Sequence, residues 1–104
     1  MNRTKLCLSD VATNDILEQA DWYRQHSGQA LANRWESAVT AALLRIVENP
    51  NSGSLCRFSA DELQGIRRMP IARFPKHLVF YRAESGEILI LRVIHGARDL
   101  ESLF

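Results

Sequence analysis

Four residues in the last third of the chain are of types that could act on a phosphodiester: His77, Tyr81, Arg92 and His95. Metal-free RNA cleavage needs a base for the 2′-hydroxyl, an acid for the leaving oxygen and positive charge for the phosphorane. Tyr and His supply the first two, and Arg the third. The same types also make a non-catalytic anion-binding face, on which Arg holds a carboxylate or phosphate through two parallel hydrogen bonds. The surrounding charge suits either chemistry. From Leu63 to Arg82 there are Arg67, Arg68, Arg73, Lys76 and Arg82 and no acid, a local charge of +5. Eleven of the thirteen basic residues are Arg, the planar and permanently charged cation.

The whole chain is much less basic. Its 104 residues carry a net charge of +1, which speaks against gripping nucleic acid by bulk electrostatics alone. No direct sequence-specific binding of nucleic acid by this chain alone is expected. The length implies one domain over residues 1–104, and the 46% apolar content is enough for one core. The longest apolar runs are far short of the roughly 20 residues that span a bilayer. No apolar segment follows Met1–Lys5, so no signal peptide and no membrane association are expected. Cys7 and Cys56 make no disulfide framework and read as small buried hydrophobes in a reducing cytoplasm. His26, His77 and His95 lack metal-ligand spacing, and no P-loop or Gly-x-Gly-x-x-Gly is present, so neither a metal nor a cofactor is expected.

The elements that must position these residues are legible in the pattern. Lys5–Ser9 alternates as a strand. Ser9 or Asp10 caps a helix whose apolar face is Ala12, Ile16, Ala20 and Tyr23, and Ser27-Gly28 ends it. A second helix, from about Gln29 to Glu48, carries the stripe Leu31, Trp35, Ala38, Ala42 and Ile46, and Asn49-Pro50 stops it. Trp22 and Trp35 are both expected in the core. Leu55–Leu63 is ambiguous and has room for a short strand. Strand patterns then cover Gly65–Ile71, Lys76–Ala83 and Glu87–His95, with Phe74-Pro75 breaking the first from the second and Ser85-Gly86 forming a hairpin turn. The expected fold is α+β, β-α-α-β-β-β with room for one further strand. Its mainly antiparallel sheet carries the helical hairpin on one face.

A two-residue turn at Ser85-Gly86 predicts the pairs Arg82 with Leu89, Phe80 with Leu91 and Leu78 with Val93. That face is assigned to the helix-covered core. His77, Tyr81 and Arg92 would then cluster on the face away from the helices, beside Arg67 or Arg68 from the next strand. A bulge would shift this parity. On this reading Arg92→Ala lowers activity more than stability.

Several pieces, in order, resemble one family. They are Leu8-Ser9 leading into the first helix, Trp22-Tyr23, Asn49-Pro50, Gly65-Ile66-Arg67-Arg68, Phe80-Tyr81-Arg82 and the run from Leu91 to Asp99 that contains His95-Gly96-Ala97-Arg98-Asp99. From about Leu6 to Leu103 the chain is similar to the ParE branch of the RelE/ParE toxins of bacterial toxin–antitoxin (plasmid stabilisation) systems. The resemblance implies a toxin that inhibits DNA gyrase without being an enzyme. It also implies a cognate antitoxin with a DNA-binding dimerisation domain and an acidic, amphipathic C-terminal segment. The surface it suggests for target or partner is Arg67, Arg68, Arg92, His95 and Arg98. The alternatives are a RelE-type ribosome-dependent mRNA endonuclease using Tyr81, His77, His95 and Arg92, or an inactive remnant that binds antitoxin. Relatives directed at the ribosome are strongly basic. This chain, at +1 with two lysines, departs from them.

Overall fold

The computed structural model describes residues 4–96 and 101–104. The elements are strand β1 (Lys5–Leu8), helix α1 (Asp10–Ser27), helix α2 (Gln29–Glu48) and strands β2 (Ser54–Leu55), β3 (Ile66–Ile71), β4 (Phe74–Glu84) and β5 (Glu87–His95). Single 3₁₀ turns lie at Asp61–Leu63 and Glu101–Leu103. The five strands form one sheet in the order β1-β5-β4-β3-β2, antiparallel except for β1 against β5. The expected α+β architecture is what forms. The two-residue strand β2 ends at Leu55, where the ambiguous segment begins, and that segment closes on a 3₁₀ turn.

Local chemistry sets the helix boundaries. The Ser9 hydroxyl accepts from the Ala12 N–H at 3.0 Å, which satisfies one free donor of the first turn of α1. The same hydroxyl donates to the Leu91 carbonyl at 2.9 Å, so the cap also ties α1 to β5. Gly28, at φ 95°, turns the chain directly from α1 into α2. The β3–β4 turn is not at Phe74-Pro75 as the sequence suggested. Ala72 and Arg73 make it, with Arg73 at φ 75°, and Phe74 already belongs to β4. Its ring packs on Tyr23 and Trp35, and this apolar contact outweighs the local breaking tendency of the following proline.

The core lies between the hairpin and the sheet. Trp35, Val39, Ala42 and Ile46 of α2 meet Met69, Ile71, Val79, Tyr81, Ile88, Ile90 and Val93 of the strands. This corrects the expected face assignment in two respects. Arg82 pairs with Leu89 as predicted, but the helix-covered face carries Val79, Tyr81 and Ala83, not Leu78, Phe80 and Arg82. Beyond that, a bulge between Phe80 and Tyr81 pairs Tyr81 with Ile90 and Phe80 with Arg92, leaving Leu91 as the extra residue. Both faces of β4 are apolar, so alternation alone could not choose between them. The other face has its own cover: Phe80 is fully buried under Phe104, which packs on Phe58. Glu101 fastens that cover by accepting from Ser59 N, Ser59 Oγ and Ala60 N at 2.7, 2.8 and 2.9 Å.

Trp22 is the other correction. Trp35 is fully buried and donates from Nε1 to the Ile16 carbonyl at 3.1 Å, whereas Trp22 is 52% exposed and stacks on His26. Seen along α1, Trp22 follows the Asp15–Glu18 line at i+7 and so faces away from the core stripe.

Candidate functional site

The bulge and the end of β1 together create a cleft. β1 pairs β5 only as far as Ile90. Beyond that point α1 lies beside β5, and an open cleft of about 730 Å³ runs between them. One wall is the outer face of α1, with Asp15, Glu18, Gln19, Trp22 and Tyr23. The other is formed by His77 and Arg92–His95, with Leu103 at the end. Because the bulge returns Val93 and His95 to the helix side, His95 lies directly opposite His77, their rings 5.4 Å apart. His77 also packs edge-on to Trp35 at 4.8 Å.

Arg92 is held on this rim by Asp15. Its Nε and Nη2 donate to the two carboxylate oxygens at 2.9 and 3.0 Å, a bidentate pair. Asp15 also accepts from the Val93 N–H at 3.0 Å, and Arg92 Nη1 donates to the Leu103 carbonyl at 2.9 Å. The hydrogen bond to Asp15 is the main reason the Arg92 pKa is raised. The network joins α1, β5 and the C-terminal turn. Sequence reasoning passed over Asp15 because a polar residue on the first half of an exposed helix reads as solvated.

Tyr81 stands elsewhere. The expected Arg92–Tyr81–His77 cluster on the outer face does not form. Tyr81 is fully buried beneath the α2–β2 loop, where its hydroxyl donates to the Pro50 carbonyl at 2.8 Å and accepts from the Gly53 N–H at 2.9 Å. A Cβ at Gly53 would meet that hydroxyl at 2.6 Å and the Arg68 carbonyl at 2.9 Å, so the loop closes only over glycine. Arg67, opposite Tyr81, donates to the Gly53 and Asn51 carbonyls at 2.8 and 3.3 Å. Tyr81→Phe should destabilise the protein by about 1–2 kcal/mol, since it leaves the buried Gly53 N–H and the partly buried Pro50 carbonyl without their partner. A urea melt with an unchanged m-value checks this.

The structure therefore brings His77, His95 and Arg92 to one cleft and leaves Tyr81 and Arg67 behind a loop. Arg68 lies on the other face, exposed and opposite Phe80. Arg98 lies outside the described residues. Glu18 and Trp22, which the sequence did not single out for this site, complete the cleft. Among the described residues no group of three or more His, Cys, Asp or Glu is placed to hold a metal ion. No helix among them is long and apolar enough to cross a membrane.

Burial, and secondarily the charge of His95, push the His77 pKa below its ordinary value of about 6.5. The folded chain then takes up its proton at lower pH than the unfolded chain. The stabilisation is complete above the ordinary value and is lost as pH falls through the depressed one. Thermal melts from pH 7 to pH 4.5 should show a falling midpoint, and His77→Gln should flatten that part of the profile.

A helical hairpin packed on one face of a mainly antiparallel sheet, with the helices entered from a short parallel strand, defines a RelE/ParE toxin-like fold. Solved structures agree. The chain superposes on the chromosomal ParDE toxin–antitoxin system from P. aeruginosa with a TM-score of 0.74 at 19% identity, over 91% of this chain and 98% of that one. The YoeB/ParE toxin from Agrobacterium tumefaciens gives 0.58 at 10% identity, over 88% and 98%. The YoeB dimer from Staphylococcus aureus gives 0.57 at 17% identity, over 89% and 97%. At these identities the likeness is one of fold. The family comes from the sequence: residues 6–100 match the model described as ParE toxin of type II toxin-antitoxin system, parDE, and the chain belongs to that family. It is a toxin component of a type II toxin–antitoxin system, and its partner is a cognate antitoxin. A search of curated proteins found no match.

Proposed function

We propose that this toxin inhibits DNA gyrase by binding it, in the cytoplasm and without catalysing a reaction, and that an antitoxin with a DNA-binding dimer domain and an acidic C-terminal segment neutralises it. The observation that carries the non-catalytic reading is the state of the candidate catalytic set. The Tyr81 hydroxyl is spent on two backbone groups under a loop, and the Arg92 guanidinium is spent on Asp15 and Leu103. Two of the four groups that RNA cleavage would require are thus bound within the fold. Of the residues assigned to the target surface, Arg68 and His95 are exposed and serve as contacts, while Arg67 and Arg92 hold the loop and the cleft wall in place. Arg98 belongs to the same proposed surface.

The second reading, mRNA cleavage, draws on the His77–His95 pair in the cleft, with the His77 pKa lowered mainly by burial. Inducing the chain alone separates the two. Gyrase-dependent DNA breaks support the proposal, cleavage of ribosome-bound mRNA overturns it, and absence of any growth effect points to an inactive antitoxin-binding remnant. Arg68→Glu should weaken growth inhibition at least tenfold with the melting temperature held within about 3 °C, because an exposed substitution contributes little to stability.

A further inference from the structure

His77 and His95 are 18 residues apart in sequence, a separation that matches no metal motif. The β4–β5 hairpin removes it. The two residues are direct cross-strand partners, and both line the same wall of the cleft. Opposed residues of an antiparallel pair hold their Cβ atoms about 4.5–5.5 Å apart, so the side chains leave the sheet side by side. Here the ring centres are 5.4 Å apart and the rings are inclined at 77°.

That separation suits a shared cation. Zinc takes imidazole nitrogen at about 2.0–2.1 Å in tetrahedral sites, which puts two rings on one ion with their centres about 5 Å apart. Such a site fixes no angle between the ring planes, and χ2 of histidine is a soft torsion. Turning it aims one nitrogen of each ring at a common point without moving either strand.

The neighbouring charges favour a cation over an anion. Arg92, on the same wall, is neutralised by its bidentate pairing with Asp15. Glu18, exposed on the facing helix, adds a carboxylate to the cleft lining. Among the described residues no third His, Cys, Asp or Glu joins the two imidazoles in a metal-holding group. The protein thus supplies two ligands, and the open cleft gives water access to the remaining positions. Imidazole suits Zn²⁺, Cu²⁺ and Ni²⁺, whereas Mg²⁺ and Ca²⁺ want oxygen donors.

We infer that His77 and His95 form a two-histidine site for a late first-row divalent cation such as Zn²⁺. The ion bridges β4 and β5 where the sheet gives way to the cleft, and it occupies both imidazoles at once. The site stands whether the toxin acts on gyrase or on mRNA, because it follows from the strand register and the two rings.

The test is isothermal titration of the full chain with Zn²⁺ alone. One ion should bind per chain, and excess Zn²⁺ should raise the melting temperature by about 4 °C or more. Mg²⁺ at the same concentration should leave it unchanged. His77→Gln and His95→Gln should each weaken Zn²⁺ binding at least tenfold, and melts without the ion report that the variants are folded. His95 is exposed, so His95→Gln tests the pair even if His77→Gln, against Trp35, unfolds the chain. His26→Gln should bind as the wild type does. In NMR spectra the ring resonances of His77 and His95 should shift together on adding Zn²⁺. Undiminished binding by His95→Gln overturns the site. So does a shift confined to His26, or a melting-temperature rise that Mg²⁺ reproduces, which would assign the ion to carboxylates.

Discussion

Asp15→Ala should lower the stability of the protein by about 2–3 kcal/mol, a fall in melting temperature of roughly 10–20 °C. The side chain is 11% exposed and its partner Arg92 20%, so neither charge is well screened by water. Removing the carboxylate leaves a guanidinium and the Val93 N–H without their acceptor. The cost is smaller than for a fully buried pair because the cleft admits solvent. The same geometry changes what Arg92→Ala should do. The sequence alone suggested a loss of activity larger than the loss of stability. With Arg92 bridging Asp15 and Leu103, its removal should cost about 2 kcal/mol of folding free energy as well. The double variant Asp15→Ala/Arg92→Ala should be less destabilised than the sum of the two single variants, because no orphaned charge remains. A thermodynamic cycle from urea melts measures this.

Trp35→Ala has the larger effect, about 3–5 kcal/mol, against a total of roughly 5–15 kcal/mol for a domain. The ring is fully buried and touches Tyr23, Phe74 and His77. Its loss removes the packing of both helices against the start of β4. It also exposes His77 to water, so the His77 pKa, held down mainly by burial, should move back toward the ordinary histidine value. NMR titration of the ring protons follows that shift in a variant that retains its fold; Trp35→Phe serves if alanine unfolds the chain. Trp22→Ala is the contrasting case. It is half exposed, and its removal should change stability by no more than about 0.5 kcal/mol.

The two tryptophans mark where sequence reading held and where it did not. Trp35 lies on the stripe with Ala42 and Ile46, and a 3.6-residue period places it inward without further information. Trp22 is one residue from Tyr23, and a bulky apolar side chain on an amphipathic helix reads as core unless its angular position is weighed. Gly53 belongs to the same class of omission. It sits in a loop whose composition already explains a glycine, and only the contact with Tyr81 shows that no side chain fits there.

The sequence by itself determined the elements, their order and the family. Helix caps, the Asn49-Pro50 stop and strand alternation act over a few residues, and each is written in adjacent side chains. The local excess of arginine from Leu63 to Arg82 was equally plain. Tertiary structure decided which face of β4 the helices cover, where the β5 bulge falls and therefore which residues meet. Leu78 and Phe80 are as apolar as Val79 and Tyr81, so the choice between them rests on how α2 and the C-terminal turn share the two faces of the sheet. A single extra residue at Leu91 then reverses the parity of the rest of the strand. It sets His95 against His77 and leaves Arg92 to Asp15, 77 residues away in sequence, a pairing that no local pattern encodes.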